Sequence, residues 1–270
     1  MSSSTKKEAW MKLDDAYANA AYIPQAAQYP PRWSEAAAAF REAMGARADL
    51  GVSYGPSARQ AYDLFYAEGP AHGTMVFVHG GYWLKFGRSM WSHFAKGALA
   101  RNWNVAMVEY DLCPDVTIAQ ITRQVALAVT SLAARLDGPM TLSGHSAGGH
   151  LVARMLAPGM LSPDVAARIQ KVAPISPVAD LRPLLETSMN ADFKMDLASA
   201  AAESPVLQPP PDTPLCIWVG AQERPVFLLQ AAALAAAWSV PQVIVPSKHH
   251  FDVIDALCDP ESDIVRYLTP

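Results

Sequence analysis

A serine stands at the centre of Gly144-His145-Ser146-Ala147-Gly148, between an apolar run and a helix-forming one. Met140, Thr141, Leu142 and Ser143 suit a buried strand, entered through the turn Asp137-Gly138-Pro139, and residues 151–156 read as the first turns of a helix. The G-x-S-x-G spacing has a physical reason. A serine on a sharp strand-to-helix turn has a strained backbone, so its neighbours two positions away must be nearly free of side chain. Such a turn lifts the hydroxyl above the end of a sheet. The N–H groups that open the following helix then face whatever negative charge develops beside that oxygen.

The rest of the chain supplies a sheet for this turn. Residues 62–66, 74–78, 104–110, 140–143, 171–176, 215–219 and 242–245 read as strands; 34–48, 89–101, 118–136 and 226–238 read as helices. This alternation predicts an α/β fold with a mainly parallel central sheet and helices on both faces. Residues 177–214, with prolines at 177, 183, 205, 209, 210, 211 and 214, are too irregular for core and read as a small lid insertion. Residues 1–270 are expected to form one domain. Its first 50 residues open on a frayed terminus and are helical, and they pack outside the domain or reach over a cleft. Packing outside is the default, and the aromatics Tyr17, Tyr22 and Trp33 are what raise the second arrangement.

Composition narrows the class. With 51% hydrophobic and 17% charged residues the chain is globular, and 270 residues can bury a sizeable core without staples. The net charge of −4 argues against nucleic acid or an anionic membrane surface as partner. No apolar run reaches the ~20 residues that span a bilayer, and residues 1–12 lack the apolar stretch of a signal peptide. Cys113, Cys216 and Cys258 are odd in number and widely spaced, which suggests neither disulfides nor zinc and points to a reducing cytoplasm.

A serine nucleophile at neutral pH needs a base, a carboxylate to orient it, and donors for the oxyanion. These partners are expected just beyond the C-terminal ends of strands, in the chain order serine, acid, histidine. His145 and His150 belong to the turn and its helix, too constrained to swing back to Ser146. His249 and His250 lie in the loop after the last strand; Phe251 and Asp252 favour His250 as the one held by packing. The first carboxylate after strand 215–219 is Glu223, with Asp180 and Asp252 in reserve; its bland reading is a surface residue paired with Arg224. The oxyanion donors expected are the N–H of Ala147 and those of Gly80 and Gly81, after strand 74–78. Tyr82 and Trp83 follow directly and either wall a substrate site or pack beneath the turn. This chemistry needs no metal and no organic cofactor.

Residues His79-Gly80-Gly81-Tyr82-Trp83 and Gly144-His145-Ser146-Ala147-Gly148-Gly149-His150 resemble the H-G-G-x-W and serine motifs of α/β-hydrolases of the kynurenine formamidase (arylformamidase) type. Segments 13–19, 110–114, 180–184, 220–227 and 250–254 are similar as well, so the likeness covers most of the chain. The resemblance implies an α/β-hydrolase fold that cleaves an aryl formamide such as N-formyl-L-kynurenine. It implies Ser146 as nucleophile, Glu223 as acid and His250 as base. One departure is that members of this type often carry Asp where this chain has Glu223. A short-chain carboxylesterase needs the same machinery and is the alternative; a non-catalytic ligand-binding protein on the scaffold is a remoter one. The expected partner is a small-molecule ester or aryl formamide, and self-assembly is open, a homodimer included.

Overall fold

The structure is a computed structural model and describes residues 13–270, so residues 1–12 of the expected N-terminal segment lie outside the described residues. The strands are β1 (Ala48–Ser53), β2 (Ala61–Phe65), β3 (Gly73–Val78), β4 (Trp103–Val108), β5 (Met140–His145), β6 (Ile169–Ile175), β7 (Ile217–Gly220) and β8 (Gln242–Val245). They form one sheet in the order β1-β2-β4-β3-β5-β6-β7-β8. β2 runs antiparallel to β1 and β4, and the other pairings are parallel. The expected mainly parallel sheet is therefore present. Register decides where the site can form. Val78 lies opposite Gly144, and His145 opposite Ile175, so the loops after β3, β5 and β6 leave the sheet along one edge.

The helices are α1 (Tyr29–Met44), α2 (Lys96–Ala100), α3 (Ile118–Arg135), α4 (Ala147–Arg154), α5 (Pro163–Ala166), α6 (Asn190–Phe193), α7 (Leu197–Ala202), α8 (Pro225–Trp238) and α9 (Asp263–Leu268). Strand alternation sorts them onto two faces. Val76 and Val78 of β3 join Ile121 and Val129 of α3, Leu151 of α4 and Leu234 of α8 in one buried cluster. Met75 and Phe77 join Trp33 and Phe40 of α1, Ala98 of α2 and Val265 of α9 in the other. Burying one such large apolar side chain contributes about 1.5–3 kcal/mol. Among the described residues no helix is long and apolar enough to cross a membrane.

Three local expectations are corrected. The helix expected at 34–48 is α1, which starts earlier because Pro30 and Pro31 sit in its first turn, where no intrahelical N–H is needed. It stops at Gly45, whose φ of +50° ends the helix, and the chain turns into β1. β1 is half-exposed and carries no apolar run, so periodicity could not mark it. The helix expected at 89–101 is mostly two 3-10 turns, Arg88–Met90 and Ser92–Ala95, before α2. Segment 177–214 is irregular as expected, yet it is not excluded from the core. Val178, Leu181, Leu184, Phe193 and Ala200 are buried in the cluster above α4 and α8.

Candidate active site

Ser146 sits at the tip of the β5–α4 turn with φ 56° and ψ −116°, and is buried. Its N–H donates to the Ile175 carbonyl at 2.8 Å, which ties the turn to β6. The flanking glycines are required. A Cβ on Gly148 would lie 1.9 Å from the Val78 carbonyl oxygen, and one on Gly144 would lie 2.3 Å from the Gly148 carbonyl oxygen. Among the described residues nothing is hydrogen bonded to the Ser146 hydroxyl.

The loop after β3 runs beside this turn. His79 Nδ1–H donates to the Gly80 carbonyl at 2.7 Å, and the Tyr110 hydroxyl donates to the His79 carbonyl at 2.8 Å. A trans peptide is planar, with C=O and N–H on opposite sides. Fixing the Gly80 carbonyl therefore fixes the direction of the Gly81 N–H. Among the described residues no group accepts from the N–H of Gly80, Gly81 or Ala147. The Gly81 carbonyl accepts from Leu84 and Lys85, curling the loop back on itself. Its far end is held by a half-buried charge cluster. Arg59 donates to the Phe86 and Tyr110 carbonyls and pairs with Glu109 at 3.1 Å, while Arg88 bridges Glu109 and Asp63.

Glu223 and His250 meet. Nδ1 of His250 donates to Glu223 Oε2 at 2.6 Å, and the Glu223 side chain is fully buried. The other carboxylate oxygen, Oε1, accepts from the Gly220 N–H at 2.8 Å and from the Ser176 hydroxyl at 2.5 Å. The His250 ring is flanked by Phe227 (centroids 4.3 Å apart) and by His145 (4.6 Å), the residue before Ser146. Nε2 of His250, turned away from Glu223, has no hydrogen-bond partner among the described residues. Burial, reinforced by the facing His250, holds the His145 pKa well below the ordinary histidine value, so its imidazole is neutral. His79 and His150 are likewise pushed down to about 4 by burial.

The alternatives left open by the sequence separate here. Arg224 pairs with Asp15, so Glu223 is no surface partner of it. Asp180 is bound by Arg182, whose hydrogen bonds lower its pKa. Asp252 accepts from the His249 N–H and so braces His249, not His250. His249 shares a hydrogen bond with the Tyr29 hydroxyl at 3.1 Å. Tyr82 is half-buried and donates to the Tyr17 carbonyl. Trp83 has no exposed surface and packs edge-on against His150 and Phe193. Sequence pattern did not single out Ser176 or Phe227. Ser176 does stand just past the end of β6, at the sheet edge where site residues gather, and that position was the available signal. Among the described residues no three of His, Cys, Asp and Glu are grouped as metal ligands.

The family model of the α/β hydrolase fold matches residues 75–210. The chain belongs to the α/β-hydrolase family. The kynurenine formamidase of Drosophila melanogaster is 28% identical over 231 residues, 78% of this chain and 77% of that protein. The kynurenine formamidase of Salmo salar is 26% identical over 81% of this chain and 80% of its own length. Among solved structures, a presumed thioesterase from Silicibacter sp. tm1040 is 56% identical with a TM-score of 0.95, covering 96% of this chain and 99% of that one. Inhibited esterase B from Lactobacillus rhamnosis shares the fold at 19% identity and a TM-score of 0.65, over 90% and 92% of the two chains. Fold and relatives together make this α/β-hydrolase an enzyme of the hydrolase class, similar to the kynurenine formamidases over about four fifths of its length.

Proposed function

We propose that this hydrolase cleaves an aryl formamide such as N-formyl-L-kynurenine through an acyl-enzyme on Ser146. The observation that carries the reading is the sealed Glu223–His250 hydrogen bond, packed against the turn that presents Ser146. In this mechanism the Ser146 oxygen attacks the formyl carbon while His250 Nε2 takes its proton. Glu223 stabilises the resulting imidazolium through Nδ1–H. The N–H groups of Gly80, Gly81 and Ala147 receive the oxyanion, where losing one donor typically costs about a hundredfold or more in rate. His250 then protonates the departing aryl amine. Water, deprotonated by the same Nε2, attacks the formyl ester, and His250 returns that proton to the departing Ser146 oxygen, which releases formate and regenerates the serine. The formyl substrate is supported by the names of the relatives and by the H-G-G-x-W residues His79 to Trp83.

The alternative is a short-chain carboxylesterase or thioesterase with the same residues, favoured by the 56% identical relative named as a presumed thioesterase. A hydrolysis panel of N-formylkynurenine, p-nitrophenyl esters of rising acyl length and an acyl thioester separates them. A formamidase releases formate from N-formylkynurenine far faster than it releases acetate from the aryl acetate; the reverse order establishes the esterase. A serine-directed phosphonate tests the mechanism itself. Labelling of the wild type that is lost in Ser146→Ala is expected. No labelling, or equal labelling of both, refutes Ser146 as the nucleophile. In the same reading residues 1–270 act as one domain with 177–214 as its lid, in the cytoplasm, on a small molecule.

A further inference from the structure

The segment ahead of α1 is tied across the site. Sheet order places β5 and β6 between β3 and β7. Residues 14–22 hold the loop after β3 and the loop after β7 at once. They therefore cross the C-terminal ends of β5, which carries Ser146, and of β6. On the β3 side, the Tyr82 hydroxyl donates to the Tyr17 carbonyl at 2.8 Å. On the β7 side, Arg224 (the neighbour of Glu223) pairs with Asp15 at 2.8 Å, donates to its carbonyl at 3.1 Å and lies 3.5 Å over the Tyr22 ring. A third anchor reaches segment 177–214, where the Ser188 N–H and hydroxyl donate to Asp14 Oδ1 at 2.7 and 3.0 Å.

Tyr17 is the keystone of this strap. It is 2% exposed, although it precedes the first long helix and belongs to no strand. Its ring stands edge-on to Phe227 at 6.0 Å, and Phe227 in turn packs on His250. Its hydroxyl accepts from Gln230 Nε2 at 2.9 Å. Gln230 also receives the N–H groups of Ala179 and Asp180, so one buried amide joins the strap, α8 and the start of segment 177–214.

We infer that residues 14–22 are a fixed roof over Ser146, and that Tyr17 limits the acyl group to a small one. The inference rests on Ser146 being the nucleophile. With the backbone tied at the Tyr17 carbonyl, the ring cannot swing aside without breaking its hydroxyl bond to Gln230 and its edge contact with Phe227. A longer acyl chain must therefore displace packed aromatic surface, whereas a formyl group need not. Pockets of this kind discriminate by ~10-fold or more per methylene.

The test compares kcat/KM for p-nitrophenyl acetate, butyrate and hexanoate in the wild type, Tyr17→Ala and Tyr17→Phe. Tyr17→Ala is expected to raise the butyrate-to-acetate ratio about tenfold or more, chiefly through KM. Tyr17→Phe keeps the ring and the carbonyl tie and should retain the wild-type ratio. An unchanged ratio in folded Tyr17→Ala, or Tyr17→Phe behaving like Tyr17→Ala, overturns the inference. If Tyr17→Ala does not fold, Tyr17→Leu removes the ring while filling most of its space, and carries the same expectation and the same refutation. Phosphonate labelling of the wild type at Ser146 keeps the two ideas apart. Absent labelling removes the nucleophile, and labelling with an unmoved acyl-length profile removes only the roof.

Discussion

Exchanging one atom at Glu223 should stop the reaction while leaving the fold intact. In Glu223→Gln the side chain keeps its shape, but only one of its two terminal atoms can accept. Position Oε1 faces two donors, the Gly220 N–H at 2.8 Å and the Ser176 hydroxyl at 2.5 Å. The amide oxygen must stay there, which turns the NH2 group toward His250 Nδ1. That nitrogen then accepts, and the imidazole proton moves to Nε2, the atom that has to receive the Ser146 proton. Imposing the wrong tautomer in this way costs about ten-thousandfold in kcat in the serine-protease triad, or ~5 kcal/mol of barrier. The amide can flip to restore the tautomer. The NH2 then opposes the Gly220 N–H in a fully buried site, at a cost of about 1–3 kcal/mol for each donor left unmet. The loss therefore lies between roughly a hundredfold and ten-thousandfold, with KM little changed. The assay is kcat on the best substrate of the panel, with circular dichroism and the urea midpoint as controls of folding. A folded Glu223→Gln within tenfold of wild type refutes Glu223 as the orienting acid. Glu223→Asp keeps the charge but draws it back, and should fall between the two.

Stability should decline in mild acid. His79 and His150 titrate at about 4 in the fold because burial disfavours their charge, against ~6.5 when unfolded, so each contributes about 3 kcal/mol above pH ~6.5. That contribution is lost as pH falls from ~6.5 to ~4, and His145 acts in the same direction. Urea midpoints at about pH 7.5 and about pH 5 should differ in favour of the former; equal or rising values refute the assignment. Gly148→Ala puts a methyl 1.9 Å from the Val78 carbonyl oxygen, a backbone atom of the central sheet. It should cost about 3 kcal/mol or more, or prevent folding, and a urea curve close to wild type would contradict the packing. Glu109→Ala strips Arg59 and Arg88 of a shared partner at the far end of the Gly80–Gly81 loop. Both arginines keep some solvent contact, so the stability loss should be about 2–3 kcal/mol, below that of a sealed pair. The kcat should fall with KM unmoved, and a fall in stability alone would detach this network from catalysis.

How much of this was legible depended on whether the cause was local. β3, β4 and β5 read as short apolar runs, α3 as an amphipathic helix by its period and α8 as an alanine-rich run, and all were readable from the chain alone. β1 was not, because Ala48-Asp49-Leu50-Gly51-Val52-Ser53 becomes a strand only by pairing with β2, and the Asp63 carboxylate receiving the Gly51 N–H helps hold it there. That Glu223 and His250 would meet beside the turn carrying Ser146 was readable because chain order and strand ends restrict where such residues can stand. The grounds for choosing His250 over His249 were weaker. Asp252 was expected to help hold His250, yet it binds the His249 N–H, and it is Glu223 and Phe227, from other parts of the chain, that hold His250. Gln230 is an ordinary residue by pattern, and Tyr17 stood out only as one of three aromatics in its segment. Tyr17 meets Phe227 and Gln230 across more than 200 positions, which no window along the sequence contains.

The places where local rules fail are also informative. Positive φ at a residue other than glycine costs about 1–3 kcal/mol and persists only where surrounding structure enforces it. Here Tyr82, Trp83 and Phe86 adopt it after β3, Ser146 after β5, Ser176 after β6 and Ser247 after β8. These six lie past the C-terminal ends of their strands, along the edge that carries Ser146. The enforcing contacts are visible as well: Trp83 is wholly buried, Ser176 is bonded through its N–H to the Trp218 carbonyl and through its hydroxyl to Glu223, and Ser146 is pinned to Ile175. Four further residues, Gln25, Asn102, Lys194 and Ser239, adopt positive φ away from that edge, so six of the ten among the described residues stand along it, and burial and hydrogen bonds offset their strain there. This arrangement keeps a hydroxyl, an imidazole and unpaired N–H groups in fixed directions before any substrate arrives. That is the preorganisation the proposed acyl transfer on Ser146 would require.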